Sequence, residues 1–307
     1  MKSTIDWCEL NYANSEYIAE YWNTMTGVFL IVSGVMFYNL NNDLIMTNNI
    51  HIRQNFKNIY NLLILVGIGT MLFHGTLLYP FQLLDEIPMI LLASQYIQIL
   101  LNLNIVQVMF NRNILFHLDN IIFIIPVLSI VISLSYFINV SLQIITFHVT
   151  LKLAEISLVF ILYNLSFKLN KFSYDIIYKN HVNNNKQLNK VSLTESNFCD
   201  NKNDTNNSKY SHLINVQKDI LEYIKIRKNI SSLIISALIY YGISVSLWMI
   251  ENVLCNYTHY LQLHSFWHIL SSIGIYKLNL IIVNYTLIDQ LLYKIPNEIP
   301  NKVTKFN

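Results

Sequence analysis

His264 and His268 stand four residues apart in HSFWH, a spacing that puts both imidazoles on one face of a helix. A third histidine, His74, lies far away in the apolar stretch GIGTMLFHGTLLY, and the carboxylate Asp85 follows it in LLDEIPMI. Three imidazoles from two segments suit a tetrahedral zinc ion whose fourth position stays open to water. Such a water has its pKa lowered to about 7 and attacks a carbonyl at neutral pH. Asp85 would then serve as general base and later as acid toward a leaving amine. Thr70 lies four residues before His74 on the same helical face. Its hydroxyl would orient the water or donate to the developing oxyanion.

Taken alone, an HxxxH pair more often reflects packing or a surface position than a metal. The setting reverses that preference, because an imidazole inside a bilayer persists only where it is paired, metal-bound or facing a cavity. Thr70 alone reads more simply as a threonine bonded to its own backbone carbonyl. His148, Lys152 and Glu155 form a further polar face, and Lys277 lies within another apolar stretch; these read as a structural ion pair and a snorkelling lysine. His51, His117, His181, His212 and His259 fall in loops or at span edges and receive no role.

The elements that must position these groups follow from composition. The 307 residues are 53% hydrophobic and 12% charged, and the mean hydropathy of +0.39 departs from the soluble average toward helical membrane proteins. The net charge of +2 excludes nothing, and no basic cluster points to nucleic acid. Three cysteines without CxxC spacing argue against a thiolate metal site. The first twenty residues are acidic and polar, unlike a cleavable signal peptide, so targeting is expected to fall to the first apolar helix.

Apolar stretches recur at roughly 24–41, 58–79, 86–108, 119–138, 142–166, 231–254 and 262–288, which predicts an all-α bundle of seven transmembrane helices. Arg53, Lys57, Arg112, the lysine-rich loop after the fifth span, and Lys294, Lys302 and Lys305 mark the cytoplasmic side. Asp6, Glu9, Glu16 and Glu20, with the turns near Tyr79–Gln82, Asn139–Ser141 and Cys255–Tyr260, carry only Lys2 and mark the opposite side. The N-terminus is therefore expected to be lumenal or extracellular and the C-terminus cytoplasmic. On that topology His74, Asp85, His264 and His268 share one depth.

The expected organisation is an acidic N-terminal segment at 1–23 and five spans within 24–167, followed by an Asn/Lys-rich cytoplasmic loop at 168–228. Two more spans lie within 229–290 and a cytoplasmic tail occupies 291–307. Low apolar content predicts disorder over most of the loop. Its last part, VQKDILEYIKIRK, has helical amphipathic spacing and is expected on the membrane surface before the sixth span.

The blocks IDWCELNYANSEYIAEYWNT, GIGTMLFHGTLLYPFQLLDEIPMI, LWMIENVLCN and LQLHSFWHIL, in this order and spacing, resemble the signature of the alkaline ceramidases from residue 5 to about 290, apart from the insertion. The resemblance implies hydrolysis of the ceramide amide to a sphingoid base and a free fatty acid, in an endoplasmic reticulum or Golgi membrane. It implies His74, His264 and His268 as zinc ligands and Asp85 as acid/base. It also implies a calcium site from Asp6, the carbonyl of Trp7, Glu9, Asn11 and Glu20, oxygen donors that calcium prefers. Cys8 and Cys255 both fall on the lumenal side, where oxidation is permitted, so a disulfide between them is expected. Two positions depart from the family: Thr70 replaces the usual serine and Glu251 the usual aspartate. The expected partners are ceramide and membrane lipids, with no obligatory protein partner. The alternative, a zinc receptor or non-catalytic lipid-binding protein of the adiponectin-receptor type, would have its N-terminus in the cytoplasm, against the loop charges.

Overall fold

The computed structural model describes residues 1–40, 50–104, 144–167 and 203–294, with single positions at 106, 127, 130, 131 and 169. Among these residues every element is a helix, and β pairing is confined to one isolated bridge between Lys2 and Leu78. The helices are α1 (Tyr21–Thr26), α2 (Val28–Leu40), α3 (Ile50–Thr76), α4 (Tyr79–Leu101), α5 (Ile144–Phe167), α6 (Asn203–Thr258) and α7 (Leu263–Lys294). Five of them, α3 to α7, contain stretches long and apolar enough to cross a membrane. They coincide with the second, third, fifth, sixth and seventh expected spans. The first expected span is divided between α1 and α2, which meet at Gly27 with helical dihedrals, φ −56° and ψ −25°. The fourth, at roughly 119–138, falls almost wholly outside the described residues, as do Arg112, Lys302 and Lys305.

The end of the 168–228 segment is helical, and residues 203–228 run into α6 without interruption. The reason is local: no proline or glycine occurs between Asn203 and Tyr241, and the single break in helical dihedrals inside α6 is at Leu254, φ −116° and ψ 28°. Residues 171–202, the heart of the expected insertion, lie outside the described residues.

The helices pack as neighbours in space: α3 against α4, α2 against α3, α6 against α7, and α1 and α2 across α7. Gly67 permits the α2–α3 approach, since a Cβ there would lie 3.0 Å from the backbone nitrogen of Ile31 and 3.1 Å from the Gly27 carbonyl. The large core joins Phe37, Ile59, Leu63, Leu100, Leu165, Ile281 and Tyr285. A small one, Ala19, Phe73 and Leu77, lies under the N-terminal segment. Polar bonds cross between helices: Ser33 to the Ser272 carbonyl, Ser244 to the Trp267 carbonyl, Ser265 to Asn23, and Tyr96 to Asn279. Facing outward are Val32, Ile68, Leu72, Ile156, Phe160 and Ile235, an apolar exterior that water would not favour and lipid does.

Candidate metal centre

α3 delivers His74 from its last turn, and α7 delivers His264 and His268 from its first two turns. One donor nitrogen from each ring lies within 4.8 Å of the other two, and all three side chains are buried. Among the described residues no other group of three or more His, Cys, Asp or Glu side chains gathers so closely.

The other ring nitrogens decide which atoms face the centre. His74 Nδ1 lies 2.5 Å from Glu20 Oε2, and a carboxylate only accepts, so this nitrogen carries the proton. His268 Nδ1 lies 3.0 Å from Thr26 Oγ1, whose own hydrogen goes to the Trp22 carbonyl at 2.8 Å; the ring again donates. His264 Nδ1 lies 3.5 Å from Glu251 Oε2, and both atoms are buried without a hydrogen-bond partner. Nδ1 of His74 and of His268 is thus committed to an oxygen, and the Nε2 lone pair of each remains for a ligand bond. Outer oxygen partners that set the tautomer are the usual support of metal-binding histidines. The donor set therefore fits a divalent transition metal such as zinc. His264 is further held between two indoles, Trp7 with centroids 4.0 Å away and Trp267 at 5.0 Å.

Asp85 reaches the same cavity from α4. Two features of the sequence put it there. Pro88 has no N–H to offer the Leu84 carbonyl one turn back, so that carbonyl is freed from the helix. Gly69 on α3 lies directly against it: a Cβ on Gly69 would sit 2.7 Å from the Asp85 nitrogen. This approach brings Thr70 Oγ1 to 2.5 Å from Asp85 Oδ1, while the same hydroxyl lies 2.9 Å from the Val66 carbonyl. The hydroxyl expected to serve a water or an oxyanion thus lies against both Asp85 and its own helix's backbone.

The N-terminal segment closes the site from outside. Glu20 accepts from the Trp7 N–H at 3.0 Å and from Asn23 Nδ2 at 2.9 Å as well as holding His74. Glu9 accepts the Trp22 and Asn23 amides at 2.8 and 2.9 Å, satisfying the open N-terminus of α1. Burial pushes the Glu9 carboxyl above its ordinary range despite those two amides, and the nearby Glu20 adds to the rise. Asn11 donates to Asp6 at 3.0 Å. Asp6, Glu9 and Glu20 are not gathered into a compact group like the histidines. Cys8 and Cys255 are joined as a disulfide with Cα atoms 5.4 Å apart. Sequence reasoning missed Thr26 and Glu251 as supports of the rings and assigned Glu20 to another task. Their signal was available as polar residues at the ends of apolar segments.

The ceramidase family profile matches residues 1–295. Alkaline ceramidase YPC1 of Saccharomyces cerevisiae is 45% identical over 89 residues, 29% of this chain and 26% of that protein. Alkaline ceramidase 3 of Mus musculus is 38% identical over 88 residues, 29% and 31% respectively. The alkaline ceramidase of Arabidopsis thaliana is 37% identical over 105 residues, 32% and 36%. The aligned part spans no more than 40% of the length of the curated relatives the chain matches.

Proposed function

Because the chain belongs to the ceramidase family, we propose that it is a zinc-dependent membrane hydrolase that cleaves the amide of ceramide into a sphingoid base and a free fatty acid. The observation that carries this reading is the buried triad of His74, His264 and His268, with an oxygen on Nδ1 of His74 and of His268 and the Glu251 carboxylate near that of His264, beside Asp85 in one cavity. The three Nε2 atoms would hold the zinc. When bound, zinc supplies Lewis acidity to the amide carbonyl and to a water molecule. Asp85 takes a proton from the water as it adds to the carbonyl carbon and passes a proton to the departing nitrogen, which leaves as the amine. Thr70 fixes the Asp85 carboxylate through its hydroxyl, making it a positioning residue. Apolar walls keep bulk water away and strengthen every charge interaction within.

The wider assignments belong to the same proposal. Seven spans, with the N-terminus lumenal and the C-terminus cytoplasmic, are supported by the five long apolar helices and by the loop charges. That topology puts 1–23 in the lumen of the endoplasmic reticulum or Golgi, the spans of 24–167 and 229–290 in the membrane, and 168–228 and 291–307 in the cytoplasm, with Cys8–Cys255 in the oxidising lumen. Calcium held by Asp6, the Trp7 carbonyl, Glu9, Asn11 and Glu20 is supported by the acidity of this segment and by the buried Glu9 carboxyl, which a cation would relieve.

The test is direct. Purified protein in lipid nanodiscs is incubated with a ceramide panel, with and without a zinc chelator, and released sphingoid base is measured. Release that stops with chelator and returns with zinc is expected. No release from any ceramide by zinc-loaded protein would reject the proposal.

A further inference from the structure

A cavity of about 360 Å³ runs from the histidine triad along α3, α4 and α7. It reaches Leu63, Tyr96 and Ile281, which stand 11 residues from His74, 11 from Asp85 and 13 from His268, or roughly 16–20 Å of helix. At the triad end it is lined by Ile5 and Trp7 of the N-terminal segment. That end is therefore roofed, and the rest is a largely apolar trough.

α4 turns one helical stripe to this space: Asp85, Glu86, Met89, Leu92, Ala93 and Tyr96. Amide hydrolysis uses Asp85. Glu86, the next residue, is only 4% exposed and has no part in that chemistry. A carboxylate on the cavity wall of a membrane helix persists where it meets polar contents. Its position is fixed from behind by Gln82, buried one turn earlier. The Gln82 amide donates to Glu86 Oε1 at 2.7 Å and to Thr4 Oγ1 at 2.6 Å, and its oxygen accepts the Thr4 N–H at 2.8 Å. This network holds Glu86 under the N-terminal segment, at the roofed end. A carboxylate offers about four acceptor sites on two oxygens, so the bond from Gln82 does not exhaust it.

The other polar groups on the described wall lie toward the apolar trough. Tyr96, bonded to Asn279 at 2.7 Å, is roughly 16 Å along α4 from Asp85. Tyr241, with Glu155 beside it, is roughly 15 Å along α6 from Glu251, and Ser166 follows Glu155 by three further turns of α5. Ser271 is one turn past His268 and gives its hydrogen to the His268 carbonyl at 3.1 Å. His148 and Lys152 come nearer, each 5.7 Å from the Trp248 ring, but Trp248 is itself one turn from Glu251 on the trough side.

With the scissile amide of a ceramide at the triad, both hydrocarbon chains lie along the trough. The carbon next to the nitrogen also carries a CH2OH arm with no chain, and this arm turns to the roofed end. Its oxygen is three bonds from the nitrogen; with a hydrogen bond of about 2.8 Å at each end, the path between two carboxylates spans up to roughly 9 Å. Asp85 and Glu86, consecutive residues with Cα atoms about 3.8 Å apart, fall within that reach. We propose that Glu86 accepts the hydrogen of the primary hydroxyl of the sphingoid base and so selects amides that carry it, an inference that rests on the ceramide reading. The bond is charge-assisted. A substrate without this hydroxyl leaves the carboxylate against a methyl group, and the site rejects it.

The experiment uses the full chain in nanodiscs with ceramide and a 1-deoxy analogue of equal chains, in which methyl replaces CH2OH. kcat/KM on each is measured for wild type, Glu86→Gln, Glu86→Leu, His148→Phe and Lys152→Met. The ratio between two substrates does not depend on how much of a variant is folded, and Gln at 86 retains the Gln82 bond. Wild type is expected to prefer ceramide about 10- to 100-fold, the worth of a bond to a charged group. Glu86→Leu should bring the preference close to one and Glu86→Gln part of the way, while the His148 and Lys152 variants keep it. Equal use of both amides by wild type, a preference that survives in both Glu86 variants, or one lost instead with His148 or Lys152 would overturn the proposal. If wild type hydrolyses neither amide, the hydrolase reading falls by itself, and fluorescent forms of both are titrated for binding. Selective loss of ceramide binding in Glu86→Gln then upholds the site; equal binding of both lipids by wild type, or no selective loss in that variant, overturns it.

Discussion

A threonine hydroxyl has one proton to give, and at Thr70 two oxygens compete for it: Asp85 Oδ1 at 2.5 Å and the Val66 carbonyl at 2.9 Å. An ionised carboxylate is the stronger acceptor, so the hydroxyl fixes the group that moves protons. Thr70→Ser keeps this bond and should retain activity. Thr70→Ala should lower kcat about 10- to 100-fold, the worth of a bond to a charged group, with zinc content unchanged. Full activity in the alanine variant, measured as sphingoid base released, would show that Asp85 needs no such support. Glu251 is a second case. Its carboxylate lies 3.5 Å from His264 Nδ1, and neither buried atom has a hydrogen-bond partner. Glu251→Gln should weaken zinc affinity about 10- to 100-fold, read by chelator competition, with kcat at saturating zinc little altered. An unchanged affinity would mean that the pair does not form in the zinc-loaded protein.

At the scale of elements, the α3–α4 contact decides whether Asp85 reaches the site. Pro88 frees the Leu84 carbonyl, and Gly69 leaves the room into which that backbone packs. A Cβ at Gly69 would meet backbone atoms, which have no rotamer to yield, so Gly69→Ala must push the helices apart. The expected cost is about 1–3 kcal/mol, seen as a lower midpoint of thermal unfolding. Activity should fall further than stability, because the separation moves Asp85 from Thr70. A variant with wild-type kcat would show that the approach is not needed for catalysis. α1 depends on another distant group: Glu9 caps the Trp22 and Asn23 amides, tying the N-terminal segment to the helix that supplies Thr26 to His268.

Across the whole molecule, the N-terminal segment behaves as a strap. It is bound to α3 by Glu20, to Leu77 just beyond that helix by Ser3, to α6 by the Cys8–Cys255 bond, and to the metal centre by the Trp7 ring on His264. The disulfide links residues 247 positions apart. Its chain-entropy effect is on the order of 2–4 kcal/mol. Cys8→Ser and Cys255→Ser should each lower the thermal midpoint to the same value, and reductant should bring wild type to that value. No change in either variant would show that the strap is held without the bond.

Much of the fold was legible before any coordinates. Length and apolar content specify which segments are spanning helices, because a helix in lipid must satisfy its own backbone and present apolar side chains outward. The interval between His264 and His268 states that they share a face. His74 reaches the same point only because α3 and α7 are brought together across α1 and α2, a matter of packing between segments distant in sequence. Periodicity assigns a residue to a face but does not say which neighbour that face will meet. For that reason Glu20 behind His74, Thr26 behind His268, Thr70 turned to Asp85, and Lys152 and Glu155 opening into the cavity were decided by the tertiary structure alone.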